Sequence, residues 1–286
     1  MKRNQQKLII DGEGRRHHFP PTLNLDYAVV DGRVQTRSLE AHIVDHCNLA
    51  CAECCSYSPH LPSWCAEPVD LERDLRLAAR FVAPTVFKLV GGEPLLHPRI
   101  SEMAKVAADS GIAPRISLTT NGLLLGRMDD DFWRYLDAVT VSLYPKPILP
   151  ESTIELANER ADRFGVELNW KKQEHFVVMN RSPRRSDKSE SAEIFKRCWL
   201  RERCHLIKAG HFYTCTRPPH LMTLMGDDES YLGDGFSLLD PGRGVDELLD
   251  YLTRDQPLEA CDHCHGGDSE MRPHRLLPRA SLRKIG

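Results

Sequence analysis

His46-Cys47-Asn48-Leu49-Ala50-Cys51-Ala52-Glu53-Cys54-Cys55 follows directly on an apolar run, residues 39–44, that reads as a β-strand. Three of its cysteines stand at C-x3-C-x2-C, so that one short loop aims three thiolates at a common point. Thiolates are the usual protein ligands of iron–sulfur clusters, and three of them leave one iron of a 4Fe-4S cube open. C-x2-C pairs also bind zinc, and the adjacent Cys55 offers a fourth ligand. The loop alone leaves both metals open.

Downstream the pattern alternates. Residues 71–82 carry apolar positions at helical spacing behind Asp70, a candidate N-cap. Residues 86–90 form a short apolar run ending in Gly91-Gly92, as expected of a buried strand entering a turn. Helices are predicted over 100–108, 129–136 and 150–163, and strands over 115–119, 138–143, 166–170 and 176–179. Strands alternating with helices imply right-handed βαβ units and a parallel sheet. The expected fold is α/β, a partial (β/α)6 barrel over 39–185, preceded by an N-terminal extension (1–38) with a short strand at 27–30. A polar, charged break at 181–191 separates it from a small cysteine-rich α+β domain over 186–270, and 271–286 is a tail.

The 286 residues are 41% hydrophobic and 28% charged, ordinary for a globular chain. A net charge of −3 argues against a nucleic-acid partner, which needs a basic surface. No apolar run has the length of a membrane span and the N-terminus lacks a signal-peptide core, so a cytoplasmic location is expected. In a reducing compartment the ten cysteines read as metal ligands or reactive thiols rather than disulfides. They fall into two groups, 47 to 65 and 198 to 264, which suggests two metal sites.

C-x3-C-x2-C after the first strand of an α/β domain resembles the signature of the radical S-adenosylmethionine (SAM) superfamily. Gly91-Gly92-Glu93-Pro94 resembles that family's GGEP motif, and Asn121 and Ser142 stand at the ends of the next two strands. The resemblance implies that Cys47, Cys51 and Cys54 hold a 4Fe-4S cluster whose open iron chelates SAM. It also implies that Gly91, Gly92, Glu93, Pro94, Asn121 and Ser142 contact SAM. Singly, each of these reads equally well as a turn or cap residue. Many family members carry an aromatic residue before the third cysteine; here Glu53 stands there, and Tyr57 or Trp64 is the substitute for packing on adenine.

In the second group, Cys198, Gly210 and Cys215 precede Cys261-Asp262-His263-Cys264. This spacing resembles the twitch/SPASM appendage, and its shorter twitch form, of dehydrogenases acting on 2-deoxy-scyllo-inosamine. The resemblance implies a second, auxiliary 4Fe-4S cluster on Cys198, Cys215, Cys261 and Cys264. A structural zinc ribbon on the same residues, or with Cys204 or His265, is the rival. Cys55, Cys65 and Cys204 are left over, either as inert packing or as a hydrogen donor to a substrate radical.

The expected activity is that of a radical SAM oxidoreductase. It would cleave SAM to a 5′-deoxyadenosyl radical and abstract hydrogen from a small-molecule substrate. Two-electron oxidation of a sugar or aminocyclitol in secondary metabolism, such as antibiotic biosynthesis, is preferred, with flavodoxin or ferredoxin as reductant. Epimerisation with a cysteine hydrogen donor is the alternative, followed by modification of a ribosomal peptide, for which residues 1–38 are short as a leader-binding domain. A zinc-stabilised binding protein is the non-catalytic alternative.

Overall fold

The computed structural model describes residues 7–10, 16–19, 24–226 and 229–278. Strands β1 (Lys7–Ile10) and β2 (Arg16–Phe19) pair with each other antiparallel. The main sheet begins where β3 (Val29–Val30) turns back on the long strand β4 (Arg33–Val44) through Asp31 and Gly32, both at positive φ. Alternation then runs through α1 (Pro68–Ala78), β5 (Val82–Gly91), α2 (Ile100–Asp109), β6 (Ile116–Thr120), α3 (Asp130–Arg134), β7 (Ala138–Leu143), α4 (Glu151–Phe164) and β8 (Glu167–Lys172). Strands β4 to β8 pair in order, all parallel, as the sequence pattern predicts.

The remaining chain is β9 (His175–Val177), α5 (Lys188–Arg197), β10 (Leu206–Lys208), β11 (His211–Tyr213), α6 (Arg217–Leu224), β12 (Phe236–Ser237), α7 (Val245–Thr253) and β13 (Met271–Pro273). A sixth parallel strand is present, but β10 supplies it, on the far side of β4. Strands β11 and β12 extend that edge antiparallel. The predicted sixth strand at 176–179 instead yields β9, which pairs with β13 outside the sheet.

Helices α5 and α6 pack in a second, smaller cluster, whereas α1 to α4 and α7 share the core that backs the sheet. Leu71, Leu75 and Ala78 of α1, Met103 and Ala107 of α2, and Phe132 and Trp133 of α3 all bury there against Leu39, Ala41, Ile43, Phe87 and Leu118. Each large side chain so buried stabilises the fold by about 1.5–3 kcal/mol. Helix α1 starts earlier than predicted: Pro68 takes the first helical position, where its missing N–H costs nothing, and Asp70 sits inside the first turn. Helix α3 is capped as expected, Asp129 accepting from the Phe132 amide at 2.9 Å. The charged break at 181–191 contains the start of α5, whose Asp187 cap accepts from the Ser189 amide at 2.8 Å.

Candidate active site

The ends of β4 and β5 approach so closely that only glycine fits at 91 and 92. A Cβ on Gly91 would lie 2.2 Å from the Val44 carbonyl oxygen, and one on Gly92 2.1 Å from that of His46. Gly91 also holds φ +149. The Gly92 amide donates to Val44 O at 2.7 Å and the Glu93 amide to His46 O at 3.0 Å. The pair thus seats β5 against the backbone that leads into Cys47, while also lining the cavity that the cysteines face.

Glu93 turns into the protein. Its carboxylate, 1% exposed, accepts from the Leu95 amide at 3.0 Å, the Thr120 hydroxyl at 2.6 Å and the Asn121 amide at 2.7 Å. Burial pushes its pKa up against these three donors. Asn121 in turn donates to Asn48 Oδ1 at 2.7 Å and reaches to 3.9 Å from Cys47 Sγ. Pro94 is buried in the following 3₁₀ turn. Glu93 and Pro94 therefore act behind the cavity wall, and Gly91, Gly92, Asn121 and Ser142 form part of it.

Cys47, Cys51 and Cys54 line this one cavity of about 190 Å³. Burial pushes the Cys47 and Cys51 thiols up to about 12. Each sulfur has a polar neighbour: the Leu49 amide donates to Cys47 Sγ at 3.3 Å, His274 Nε2 lies 3.2 Å from Cys51 Sγ, and Ser56 Oγ lies 3.4 Å from Cys54 Sγ. The chain after β13 clamps the loop, through Ala52 N to Arg275 O at 2.8 Å and Leu277 N to Ala50 O at 2.7 Å. Three cysteines on one cavity wall suit a metal–sulfur group with one side left open.

The aromatic wall is not where the sequence pattern put it. Tyr57, at φ +56, is buried beside Phe195, Leu221 and Leu258, away from this cavity. Trp64 is 38% exposed, with the Lys208 ammonium 4.3 Å over its ring. Glu53 faces Arg272, 3.9 Å away. Tyr144 and Phe176 line the cavity instead, their rings stacked at 5.9 Å and 15°, with His274 at 4.8 Å from Tyr144. Phe176 escaped notice because it lies on β9, far along the chain from the cysteine loop.

A second cavity, about 450 Å³, adjoins the first and shares Cys55, Ser56, Gly91, Thr119 and Ser142 with it. Its wall is the polar face of the parallel strands: Glu40 and His42 on β4, Lys88 on β5, Ser117 and Thr119 on β6, Thr140 and Ser142 on β7, Lys171 on β8. Lys88 Nζ is 3.0 Å from Glu40 Oε1. Cys55 and Cys204 both line this cavity. Cys55 is exposed to solvent, whereas burial pushes the Cys204 thiol well above its ordinary range. Cys65 lies elsewhere, in a β-bridge with Val44 against the main core.

Cys198, Cys215, Cys261 and Cys264 come together around a third, small and apolar cavity of about 20 Å³, with Ile194, Phe195, Leu258, Arg201 and Arg217. Cys204 is not among them. Burial raises the Cys198, Cys215 and Cys261 thiols. Arg217 opens α6 and lines both this cavity and the polar one.

His42, Asp45 and His220 form another buried group with ligand atoms within 4.8 Å of one another. Lys208 Nζ already sits 2.8 Å from Asp45, and His220 Nε2 lies 2.9 Å from His42 Nδ1, so these residues form an ion-pair and imidazole network of their own.

No family model matches the sequence. GTP 3′,8-cyclase of Mycobacterium marinum is 30% identical over 159 residues, which cover 54% of this chain and 37% of that protein. GTP 3′,8-cyclase of Mycolicibacterium smegmatis is 35% identical over 116 residues, 39% of this chain and 32% of that one. The chain thus spans about a third of the length of these relatives. Among solved structures, BtrN in complex with AdoMet and 2-DOIA is 12% identical, with a TM-score of 0.47 over 82% of this chain and 95% of that one. Native anSMEcpe with bound AdoMet and Cp18Cys peptide is 22% identical, with a TM-score of 0.34 over 46% and 41%. Among the described residues, no helix is long and apolar enough to cross a membrane.

Proposed function

We propose that this chain, whose sequence relatives support the radical SAM superfamily, is an oxidoreductase that removes two electrons from a hydrophilic small molecule, a sugar or aminocyclitol of secondary metabolism. When bound, a 4Fe-4S cluster and SAM supply a 5′-deoxyadenosyl radical. Cys47, Cys51 and Cys54 would hold the cluster, and Gly91, Gly92, Asn121 and Ser142 would border the nucleotide. Tyr144 and Phe176 would offer the adenine a ring face. Flavodoxin or ferredoxin would serve as reductant, in the cytosol.

One observation carries this reading. The polar cavity abuts the trio's cavity on one side and, through Arg217, the second cysteine quartet on the other. Its volume of about 450 Å³ suits a ring of sugar size, and its hydroxyls, imidazole and Lys88–Glu40 pair match the many hydroxyl or amino groups of such a ring. Glu40, Lys88 and the threonine hydroxyls would orient the substrate. A quartet next to that cavity supports an auxiliary cluster as electron acceptor, which makes oxidation the preferred outcome.

Cys55 and Cys204 in the same cavity favour a second reading, radical epimerisation with one thiol returning the hydrogen. Product mass separates the two. Turnover of candidate aminocyclitols in deuterium oxide yields a product two hydrogens lighter for oxidation, and one with a single carbon-bound hydrogen replaced by deuterium at unchanged connectivity for epimerisation. Colourless protein with stoichiometric zinc and no SAM cleavage would refute both.

A further inference from the structure

Two guanidinium groups line the cavity formed by Cys198, Cys215, Cys261 and Cys264, and neither has a carboxylate partner among the described residues. Arg217 is 2% exposed and Arg201 3% exposed. Arg217 donates to Asn180 Oδ1 at 2.8 Å, to the His263 carbonyl at 2.9 Å and to the Tyr57 hydroxyl, all neutral acceptors. Arg201 donates to the backbone carbonyls of Phe195, Leu252 and Arg254 and stacks over the Phe195 ring at 3.7 Å. The Nε of each is buried and unpartnered.

Two buried cations without counter-charges are costly, because a buried charge is tolerated only when paired. Nearby surface pairs do not help: Arg184 and Lys188 already hold Asp262 and Glu259. The cavity that both guanidiniums line becomes a source of negative charge when its four cysteines bind a metal–sulfur core as thiolates.

We infer that Arg201 and Arg217 are positioning residues that neutralise an anionic metal–sulfur group on the Cys198, Cys215, Cys261 and Cys264 quartet and raise its reduction potential. This inference rests on the reading of the quartet as a 4Fe-4S site. Each electron added to such a group adds negative charge, so a fixed neighbouring cation favours the reduced form. Arg217 also lines the polar cavity, so the charge is placed on the side from which substrate electrons arrive.

The test uses the full chain carrying Cys47→Ala, Cys51→Ala and Cys54→Ala, so that only the quartet holds a group. Reconstituted anaerobically, it is titrated potentiometrically with EPR detection. Arg217→Gln and Arg201→Gln should each retain about four irons and four sulfides. Each should shift the reduced-to-oxidised ratio at a fixed potential about tenfold toward oxidised, equivalent to 59 mV for one electron. Arg217→Lys, which keeps the charge, should stay near the parent. Should Arg217→Gln fail to fold, Arg201→Gln carries the same expectation. Charge-neutral variants with an intact cluster at the parent's potential overturn this inference alone. Zinc without sulfide on the parent quartet overturns the cluster reading and this inference with it.

Discussion

The Glu93 carboxylate accepts the Thr120 hydroxyl proton at 2.6 Å, joining the ends of two neighbouring parallel strands directly behind the cysteine cavity. Glu93 also receives the Leu95 and Asn121 amides, so one buried anion sets the positions of β5, β6 and Asn121. Glu93→Gln turns one acceptor oxygen into a donor facing one of these three hydrogens. The expected cost is about 1–3 kcal/mol, read as a lower urea midpoint with unchanged slope. Retained stability would show that the carboxylate is not the tie.

Gly92 has less tolerance still. A Cβ there meets the His46 carbonyl oxygen at 2.1 Å, and backbone on both sides leaves nothing flexible to yield. Gly92→Ala should cost roughly 3 kcal/mol and push the cysteine loop off β5. Iron bound per chain should drop by about half, the quartet keeping its share. Iron content equal to the parent's would contradict this packing account.

Much of this was legible in the chain. The apolar runs gave five parallel strands in order, because each is a local signal bounded by glycine or a polar turn. What escaped is non-local. Strand β10 docks beside β4 across a long sequence separation, and β9 pairs with β13 rather than extending the barrel. Nothing within residues 176–179 distinguishes an edge pairing from a barrel strand. The cavity's aromatic wall and the two arginines at the quartet were hidden for the same reason. Phe176 and Arg217 reach their sites only through tertiary packing, whereas Tyr57 and Trp64, near in sequence to the loop, turn elsewhere.

Acid should weaken the fold through its buried histidines. Burial, with Lys208 nearby, depresses His42 to about 3, and burial depresses His205 to about 4. An unfolded histidine titrates near 6.5, so between about pH 6.5 and 4 the unfolded chain binds protons that the folded chain refuses. Stability is complete above pH 6.5 and falls as pH drops, by roughly 2 kcal/mol per histidine at pH 5. His205→Gln should flatten the urea midpoint's dependence on pH in this window. A variant as acid-sensitive as the parent would show that His205 is not one of the groups responsible.

Phe176 faces the cysteine cavity with its ring parallel to Tyr144, 5.9 Å away. Stacking of a base on an aromatic ring contributes about 1–3 kcal/mol. Phe176→Ala should therefore raise the Kd for SAM about tenfold, measured by equilibrium dialysis of anaerobic protein, and Phe176→Tyr should restore it. Unchanged affinity in Phe176→Ala would move the adenine to another wall.

The proposed chemistry depends most on the three thiols that meet below Gly91 and Asn121. Anaerobically reconstituted protein, given SAM and dithionite, should release 5′-deoxyadenosine, detected by liquid chromatography and mass spectrometry. Cys47→Ala should reduce that release to the level of the protein-free control. SAM cleavage by the Cys47→Ala chain at the parent's rate would contradict the account at its base.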